Sequence, residues 1–439
     1  MFKTVRRAFQ IEDIRKKIFY TFMMLVVVRL GSQLPTPGVN PDYIKNFFAQ
    51  NTGDAFNFFN AFTGGSFEQM SVFALSITPY ITSSIIIQLL TIAIPKLEEM
   101  QKEGEDGRKK IAAITRYVTI ALALIESIAM AVGFGRSGLI KGYQGFSTLH
   151  YIVSIIVVVA ALTAGSAMLM WLGERITENG VGNGISIVLL INIISGMPSD
   201  FATLYSTFVA PRTIAKGVLA AAIIIAILVV MVVLVCFLQD GERRIPVQYS
   251  QKVSGRKTFG GQSTNIPLKV NTAGVMPVIF ASSLMQFPVI IAQLFGKSYE
   301  WTRYLSSSYW CRISAPKYSI GLILYIVLLI IFAYFYTSIT FNPIEVADNL
   351  KKAGGVIPGI TPGKSTSDYL NNILNYIVFV GAVGLLIIAL IPIMCTGFFN
   401  ASVSFGGTSV IIIVGVVLET LKQIESQMVN RYYKGFLSE

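Results

Sequence analysis

The sequence predicts an all-α integral membrane protein with ten transmembrane helices in two inverted five-helix halves. Hydrophobic residues make up 53% of the 439 residues and charged residues only 13%, whereas a soluble domain has about 25% charged residues. This composition excludes a soluble enzyme, which would precipitate, and a disordered chain, which needs low hydrophobicity. The net charge of +12 fits a membrane protein whose basic residues gather on one side.

Ten apolar runs are candidate spans, because a helix needs about 20 mostly apolar residues to cross the hydrocarbon core. We expect the first to be a retained span rather than a signal peptide, since no small-residue cleavage site follows it. The runs fall at 18–34, 72–94, 112–134, 151–172, 183–197, 217–238, 272–295, 318–341, 374–395 and 405–421.

The basic residues orient these spans. Ten spans place 25 Lys and Arg residues in the segments on the N-terminal side and nine on the other side. The positive-inside rule therefore predicts that both termini are cytoplasmic. The predicted organisation is a basic N-terminal segment (1–17), an N-terminal half (18–198), a C-terminal half (199–425) and a C-terminal tail (426–439).

An offset of 198 residues superimposes the second span on the seventh. The two are five spans apart and cross in opposite directions, which predicts inverted halves with function at their interface. The alternative is that each helix merely needs a proline kink. The identical pairs are Pro79 and Pro277, Ile81 and Ile279, Ser84 and Ser282, and Gln88 and Gln286.

Each of these two spans has one face that changes from aliphatic to polar. Ile77, Ile81, Ser84 and Gln88 are spaced 4, 3 and 4 apart and share a helical face. Val275, Ile279, Ser282 and Gln286 repeat it. Paired across a cleft, the faces predict an apolar constriction beside a seam of weak polar contacts. The fifth span opens with the Gly-rich stretch 180–184, which we expect to be flexible.

Two long loops lie on the predicted cytosolic side. Loop 239–271 is basic, which favours a partner with an acidic surface, although its charges could serve only to fix topology. Loop 342–373 has balanced charge and three Gly-containing turns, which indicate a shaped tip. On the outer side, the aromatic stretch 56–70 predicts a short re-entrant element turning at Gly64 and Gly65, or else an interfacial anchor.

No catalytic constellation is evident in the sequence. It offers no nucleophile with a base, paired carboxylates or phosphate loop, so we expect no enzyme and no cofactor. Cys236, Cys311 and Cys395 lie far apart, and His150 is the single histidine, so neither a disulfide framework nor a metal site is expected. Arg29 and Glu126, the charges inside spans, are expected to snorkel or pair.

Several motifs resemble the SecY family, the channel subunits of the bacterial protein translocase. They extend over essentially the whole chain, although the outer loops 135–150, 198–216 and 296–317 carry little of the resemblance. The motifs are Ile77–Gln88, Gly180–Ser186, Gln262–Asn271, Asn342–Pro343, Ala347–Lys352 and Gly406–Ser409.

The resemblance implies a clam-shaped bundle around an hourglass pore, with a seam that opens sideways to lipid. The family's aliphatic pore ring maps to Ile77, Ile81, Ile185, Leu189, Ile279 and Ile412. Its plug, a short outer helix, maps to about 60–70, including Asn60, Phe62, Gly64, Gly65 and Phe67, and its lateral gate to Ser84, Gln88, Ser282 and Gln286. Partner docking maps to the two cytosolic loops, through Arg243, Arg244, Lys252, Arg256, Lys257, Lys351 and Lys352.

The chain departs from the family pattern at two positions. Many relatives have glycine where this chain has Ser76, and a small residue is kept. More relatives have arginine at the position of Thr361, which the family links to motor-driven transport. Thr361 therefore puts in question how strongly this chain is coupled to a motor protein.

The resemblance implies a passive channel in the bacterial plasma membrane that moves unfolded secretory polypeptides and releases hydrophobic segments into lipid. Implied partners are the small membrane subunits SecE and SecG, the SecA ATPase, the ribosome, signal peptides and the lipid bilayer, without DNA binding. The alternative is an inverted-repeat secondary transporter for a small solute. That alternative usually needs mid-membrane ionisable groups, which this chain almost lacks; a membrane enzyme ranks third.

Overall fold

The computed structural model describes residues 2–40, 60, 63–134, 140, 148–210, 214–249, 252–254, 257–259, 263–294, 300–306, 309–312, 316–399 and 407–435. Each predicted apolar run coincides with one long helix. The helices are α1 (Phe2–Gln10), α2 (Glu12–Gly31), α3 (Thr78–Ala93), α4 (Pro95–Lys102), α5 (Glu105–Phe134), α6 (Thr148–Asn179), α7 (Gly184–Leu204), α8 (Ile214–Asp240), α9 (Met276–Leu294), α10 (Thr302–Leu305), α11 (Ile320–Thr340), α12 (Pro343–Lys352), α13 (Lys364–Phe399) and α14 (Gly407–Gly435).

Several of these helices are suited to cross a bilayer. Among the described residues, six helices are long and apolar enough to do so alone, and α3 with α4, bent by 106°, makes a seventh. The apolar part of α9, Met276–Gln286, is shorter. The chain is therefore a multi-pass helical membrane protein by length and composition.

The repeat is visible in the backbone. Helices α3 and α9 begin at residues 78 and 276, which differ by the offset of 198 found in the sequence. Pro79 and Pro277 both lie in the first turn of their helices, where proline needs no hydrogen-bond partner. The alternative that these prolines kink their helices is therefore wrong.

The residues before the two helices repeat as well. Ser76 has φ +53° and Gly274, its equivalent at the same offset, has φ +64°. Both therefore adopt the left-handed conformation that turns the chain into its helix, and a serine is unusual there. This turn explains why the second span starts at 78 rather than at 72.

Three predicted boundaries fall within helices. The predicted end of the N-terminal half at 198 falls inside α7, which continues to Leu204 and then into a π-helical turn at Tyr205–Val209. Pro198 is accommodated within that helix. The predicted tail from 426 is the last part of α14, and α2 already begins within the predicted segment 1–17. Helices continue beyond their apolar runs because backbone hydrogen bonding does not stop at the membrane surface.

The two predicted cytosolic loops form one folded unit rather than separate loops. Strand β1 (Glu242–Tyr249) pairs antiparallel with β4 (Ser263–Lys269) on one edge. On the other edge it pairs with β5 (Gly355–Val356), through Gln248 opposite Val356. Along the chain, β1 and β4 are connected by a short separate hairpin of β2 (Lys252–Ser254) and β3 (Lys257–Phe259).

This sheet unit has its own apolar core. Ile245 and Val247 alternate inward along β1 and are almost fully buried. They pack against Leu268 of β4 and against side chains from α12 and α13, including Leu350 and Leu370. Residues more than 100 positions apart therefore fold together, which the sequence patterns did not predict.

Candidate functional site

A cavity of about 680 Å³ lies between helices of the two halves. Five of the six predicted ring residues line it. Ile77, the sixth, is only 1% exposed and lies in the same hydrophobic cluster. The structure thus brings the predicted ring together from four helices, α3, α7, α9 and α14. The lining members are Ile81, Ile185, Leu189, Ile279 and Ile412.

The start of α7 is fixed by local hydrogen bonds. The Asn183 side chain accepts hydrogen bonds from the backbone N–H groups of Ile185 and Ser186, at 3.1 and 3.3 Å, and so caps the helix. Gly184 packs so closely on α6 that an added Cβ would lie 1.9 Å from the carbonyl oxygen of Gly173. The expectation that 180–184 is flexible is therefore wrong, since this stretch is a packed turn that orients Ile185 and Leu189.

The walls of the cavity carry charges of both signs. Arg116 and Glu174 form an ion pair of 2.7 Å that joins α5 to α6. Lys422 of α14 pairs with Asp240 at the end of α8, also at 2.7 Å. Three cationic and three anionic side chains line the cavity, so its polar part favours neither sign. They are Arg116, Lys269, Lys422, Glu174, Glu178 and Glu419.

The four predicted gate residues do not form one continuous seam. Ser84 and Gln88 line the cavity, and the Gln88 amide donates to the Ser84 hydroxyl at 3.4 Å. Ser282 and Gln286 do not line the cavity and are buried. The two pairs of gate residues therefore differ in their surroundings, and a lateral gate between α3 and α9 stays a prediction.

The partners of these polar side chains differ as well. Ser282 shares a hydrogen bond with the hydroxyl of Tyr325 on α11. The amide oxygens of Gln88 and Gln286 are buried without a hydrogen-bond partner among the described residues. A buried amide oxygen without a donor costs free energy, so the polar positions of α3 and α9 contribute little to holding the halves together.

The described part of the predicted plug packs against α7. Asn60 and Thr63 are helical, whereas residues 64–70 form turns, so the helix that the resemblance implies does not extend over 64–70. The Asn60 side chain and Glu68 bond each other, amide to carboxylate at 3.1 Å and backbone N–H to amide oxygen at 3.3 Å. Gly64 and Gly65 have φ of +64° and +82°, so the predicted sharp turn is confirmed.

Phe67 anchors these turns in a second apolar cluster with side chains of α5 and α6, including Ala123 and Leu162. Phe62 lies outside the described residues.

The predicted docking residues lie on the sheet unit. Arg243 and Arg244 are exposed on β1, and Arg244 bonds Glu242 through two nitrogens at 2.6 and 2.8 Å. Lys351 and Lys352 are exposed in the last turn of α12. Lys252 and Lys257 are in the hairpin strands, and Arg256 lies outside the described residues.

Sequence reasoning missed three residues that bond either the plug turns or the turn before α3. Arg29 of α2 and Ser195 of α7 donate to the carbonyl oxygen of Gly64, each at 3.3 Å. Asn192 of α7 donates to the hydroxyl of Ser76 at 3.1 Å. For Arg29, the sequence did carry a signal, because an arginine within an apolar run needs a partner. We expected this arginine only to snorkel or pair.

The fold and the site define a class of protein, a multi-pass helical membrane protein in which a cavity between two repeats is lined by aliphatic side chains from four helices. This arrangement is typical of a channel that is closed by apolar side chains.

Comparisons with known proteins identify the family. A family model described as SecY matches residues 71–421. The chain is 44% identical to the protein translocase subunit SecY of Streptomyces coelicolor and 43% identical to that of Bacillus subtilis, over 100% of both chains in each case. The chain therefore belongs to the SecY family, and the predicted family is confirmed.

Solved structures show the same fold. A structure described as a protein conducting channel covers 94% of this chain and 93% of its own, with a TM-score of 0.61 and 18% identity. Another, of SecY, whose plug domain is described as stabilising the closed state, gives a TM-score of 0.64 at 19% identity, covering 94% of this chain and 92% of its own. The predicted all-α membrane fold is confirmed by these matches.

Proposed function

We propose that this chain is the protein-conducting channel of a Sec translocase. The observation that carries the proposal is the set of aliphatic side chains, the predicted ring, that lines the cavity between the two repeats. The translocase subunits among the relatives and the channels among the solved structures support it. The small-solute transporter receives no support from these comparisons.

The apolar ring explains how a wide channel can remain sealed. A narrow aliphatic constriction excludes water and therefore ions, while its side chains can move apart around a polypeptide. Isoleucine and leucine offer a moving chain no strong polar contact, so varied sequences can pass. The mixed charges of the cavity wall keep the entrance hydrated without favouring chains of one charge.

The lateral gate is proposed between α3 and α9. The polar groups at this seam have few partners, and hydrogen bonds inside membranes are worth only about 0.6 kcal/mol on average. A hydrophobic segment that moves from the pore into lipid gains about 0.8 kcal/mol per buried CH₂. A few apolar residues therefore suffice to favour sideways release over retention.

The energy for transport is proposed to come from partners, with the chain itself performing no catalysis. The sheet unit presents exposed basic residues for the ribosome and the SecA ATPase, and SecE and SecG complete the complex in the membrane. A solved structure of Sec61 in a canine ribosome–channel complex has a similar fold, with a TM-score of 0.59 at 17% identity over 94% of this chain and 93% of its own. The distribution of basic residues supports cytoplasmic termini, and the bacterial relatives support the plasma membrane.

The test is ion conductance in liposomes containing the purified complex. We expect Ile81→Ser with Ile279→Ser to leak ions at rest, because two hydroxyls in the ring allow water to enter. The matched control is Ile156→Ser with Ile225→Ser, since both isoleucines are 60% exposed on the outer surface of the bundle. A sealed ring variant, or an equal leak in the control, would contradict the assignment of the ring.

A further inference from the structure

We propose that Arg29 is a positioning residue that holds the plug turns, residues 63–70, in the closed position. The inference rests on the proposed channel function and adds the contact that keeps the channel shut. Its basis is the hydrogen bond from the Arg29 guanidinium to the carbonyl oxygen of Gly64, at 3.3 Å.

The location of Arg29 is unusual. It lies in the last turn of α2, among apolar residues, and its side chain is half-buried. A guanidinium at this depth needs an acceptor, since an unpaired charge in an apolar setting is costly. The Gly64 carbonyl supplies one, and a hydrogen bond from a charged donor is stronger than a neutral one.

The acceptor is held in place by the main chain of α7. An added Cβ on Gly64 would lie 2.8 Å from the carbonyl oxygen of Asn192 and 2.9 Å from its Cα. Gly64 also has φ +64°, so neither the space nor the backbone conformation accepts a side chain there. The carbonyl therefore points at Arg29 only while the turn is seated on α7.

The second donor at this carbonyl is weaker. The Ser195 hydroxyl has one hydrogen, and it also lies 2.7 Å from the carbonyl oxygen of Asn192 in its own helix. That shorter bond takes the hydrogen for most of the time, because hydroxyl hydrogen bonds are best near 2.7 Å. Arg29 is thus the main donor at the Gly64 carbonyl oxygen.

Opening the channel must break this bond. When the plug turns leave α7, the guanidinium loses its backbone acceptor and must be solvated by water or by the passing chain. The contact therefore sets how often the plug leaves its closed position in the absence of a substrate. Removal of the donor is expected to raise that frequency by roughly tenfold or more, the effect of losing one charged hydrogen bond.

The experiment measures exposure of the plug directly. A Gln69→Cys variant places a thiol on the half-buried face of the plug turns, and a membrane-impermeant maleimide is added from the outer side of reconstituted vesicles. Labelling is quantified by mass spectrometry of the peptides, with the native thiol of Cys311 as an internal reference. The comparison is between Arg29 variants in this background.

We expect Arg29→Met to increase labelling at position 69 by about tenfold or more, with labelling of Cys311 unchanged. Arg29→Lys, which keeps the charge and a donor, should restore much of the protection. Ser195→Ala is the matched control, because it removes the weaker donor from the same carbonyl, and it should change labelling little. If Arg29→Met does not accumulate in the membrane, Arg29→Gln replaces it with the same expected direction.

Unchanged labelling in Arg29→Met, or an equal increase in Ser195→Ala, overturns the role of Arg29. Secretion of a protein with a signal peptide, measured on the same vesicles, separates this failure from failure of the proposed function. A chain that secretes normally but shows no effect of Arg29 is a channel whose plug is held by other contacts. A wild-type chain that does not secrete contradicts the channel itself.

Discussion

Replacement of Ser76 tests whether the left-handed turn before α3 limits the stability of the ring. Ser76 has φ +53° and is only 2% exposed, directly before the ring residue Ile77. Its hydroxyl accepts a hydrogen bond from Asn192 at 3.1 Å, and its carbonyl oxygen accepts one from Ser166 at 3.3 Å. The residue therefore combines an unfavourable backbone conformation with a favourable side-chain bond.

Two substitutions separate these effects. Ser76→Ala keeps the left-handed conformation but loses the acceptor for Asn192, which should destabilise the fold by about 1–3 kcal/mol. Ser76→Gly loses the same bond but relieves about 1–2 kcal/mol of backbone strain. The greater freedom of glycine in the unfolded chain offsets about 0.4–1 kcal/mol of that relief. The glycine variant should therefore be more stable than the alanine variant by about 1 kcal/mol.

The assay is thermal unfolding of the purified complex in detergent. With an unfolding entropy of about 2.1 cal/mol/K per residue, a chain of 439 residues should shift its Tm by about 1 °C for each kcal/mol. The order of the Tm values is more informative than the size of the shifts. Wild type should have the highest Tm, Ser76→Gly an intermediate one and Ser76→Ala the lowest. Gly274→Ser is the matched control at the equivalent turn, where φ is +64°, and it should lower the Tm.

A Ser76→Ala variant as stable as Ser76→Gly would show that the left-handed conformation costs nothing in this chain. The reasoning about strain would then be wrong, even if both variants were less stable than wild type.

Two further predictions follow from local geometry. Gly184→Ala should prevent the packing of α7 on α6, since its Cβ would lie 1.9 Å from a backbone oxygen, and the amount of chain in the membrane fraction should fall. The control is Gly196→Ala in the same helix, which has no atom within 4 Å and should be neutral or stabilising by up to about 1 kcal/mol. Equal accumulation of both variants would contradict the packing argument. Arg243→Glu reverses an exposed charge on β1 and should weaken ribosome binding, measured by co-sedimentation, several-fold at low salt and less at high salt. The control is Glu345→Lys on α12, a charge change of the same size and opposite sign. Salt-independent binding would rule out an electrostatic contact.

The sequence by itself determined the helices, the repeat and the family. Apolar runs predict spans because partition into lipid depends on local composition, and each run became a helix. The face shared by Ile77, Ile81, Ser84 and Gln88 follows from helical spacing alone. The motifs mapped the six ring residues to positions that the structure brings together.

Only the tertiary structure decided which distant residues meet. The pairing of β1 with β5 joins two loops that are about 100 residues apart, and no local pattern encodes that register. Packing also places Ser84 on the wall of the cavity but buries Ser282 away from it. The partner of Arg29 is likewise a backbone carbonyl, Gly64, 35 residues away. The sequence shows that a charge in an apolar helix needs a partner, and the packing of distant helices around one turn decides which partner it has.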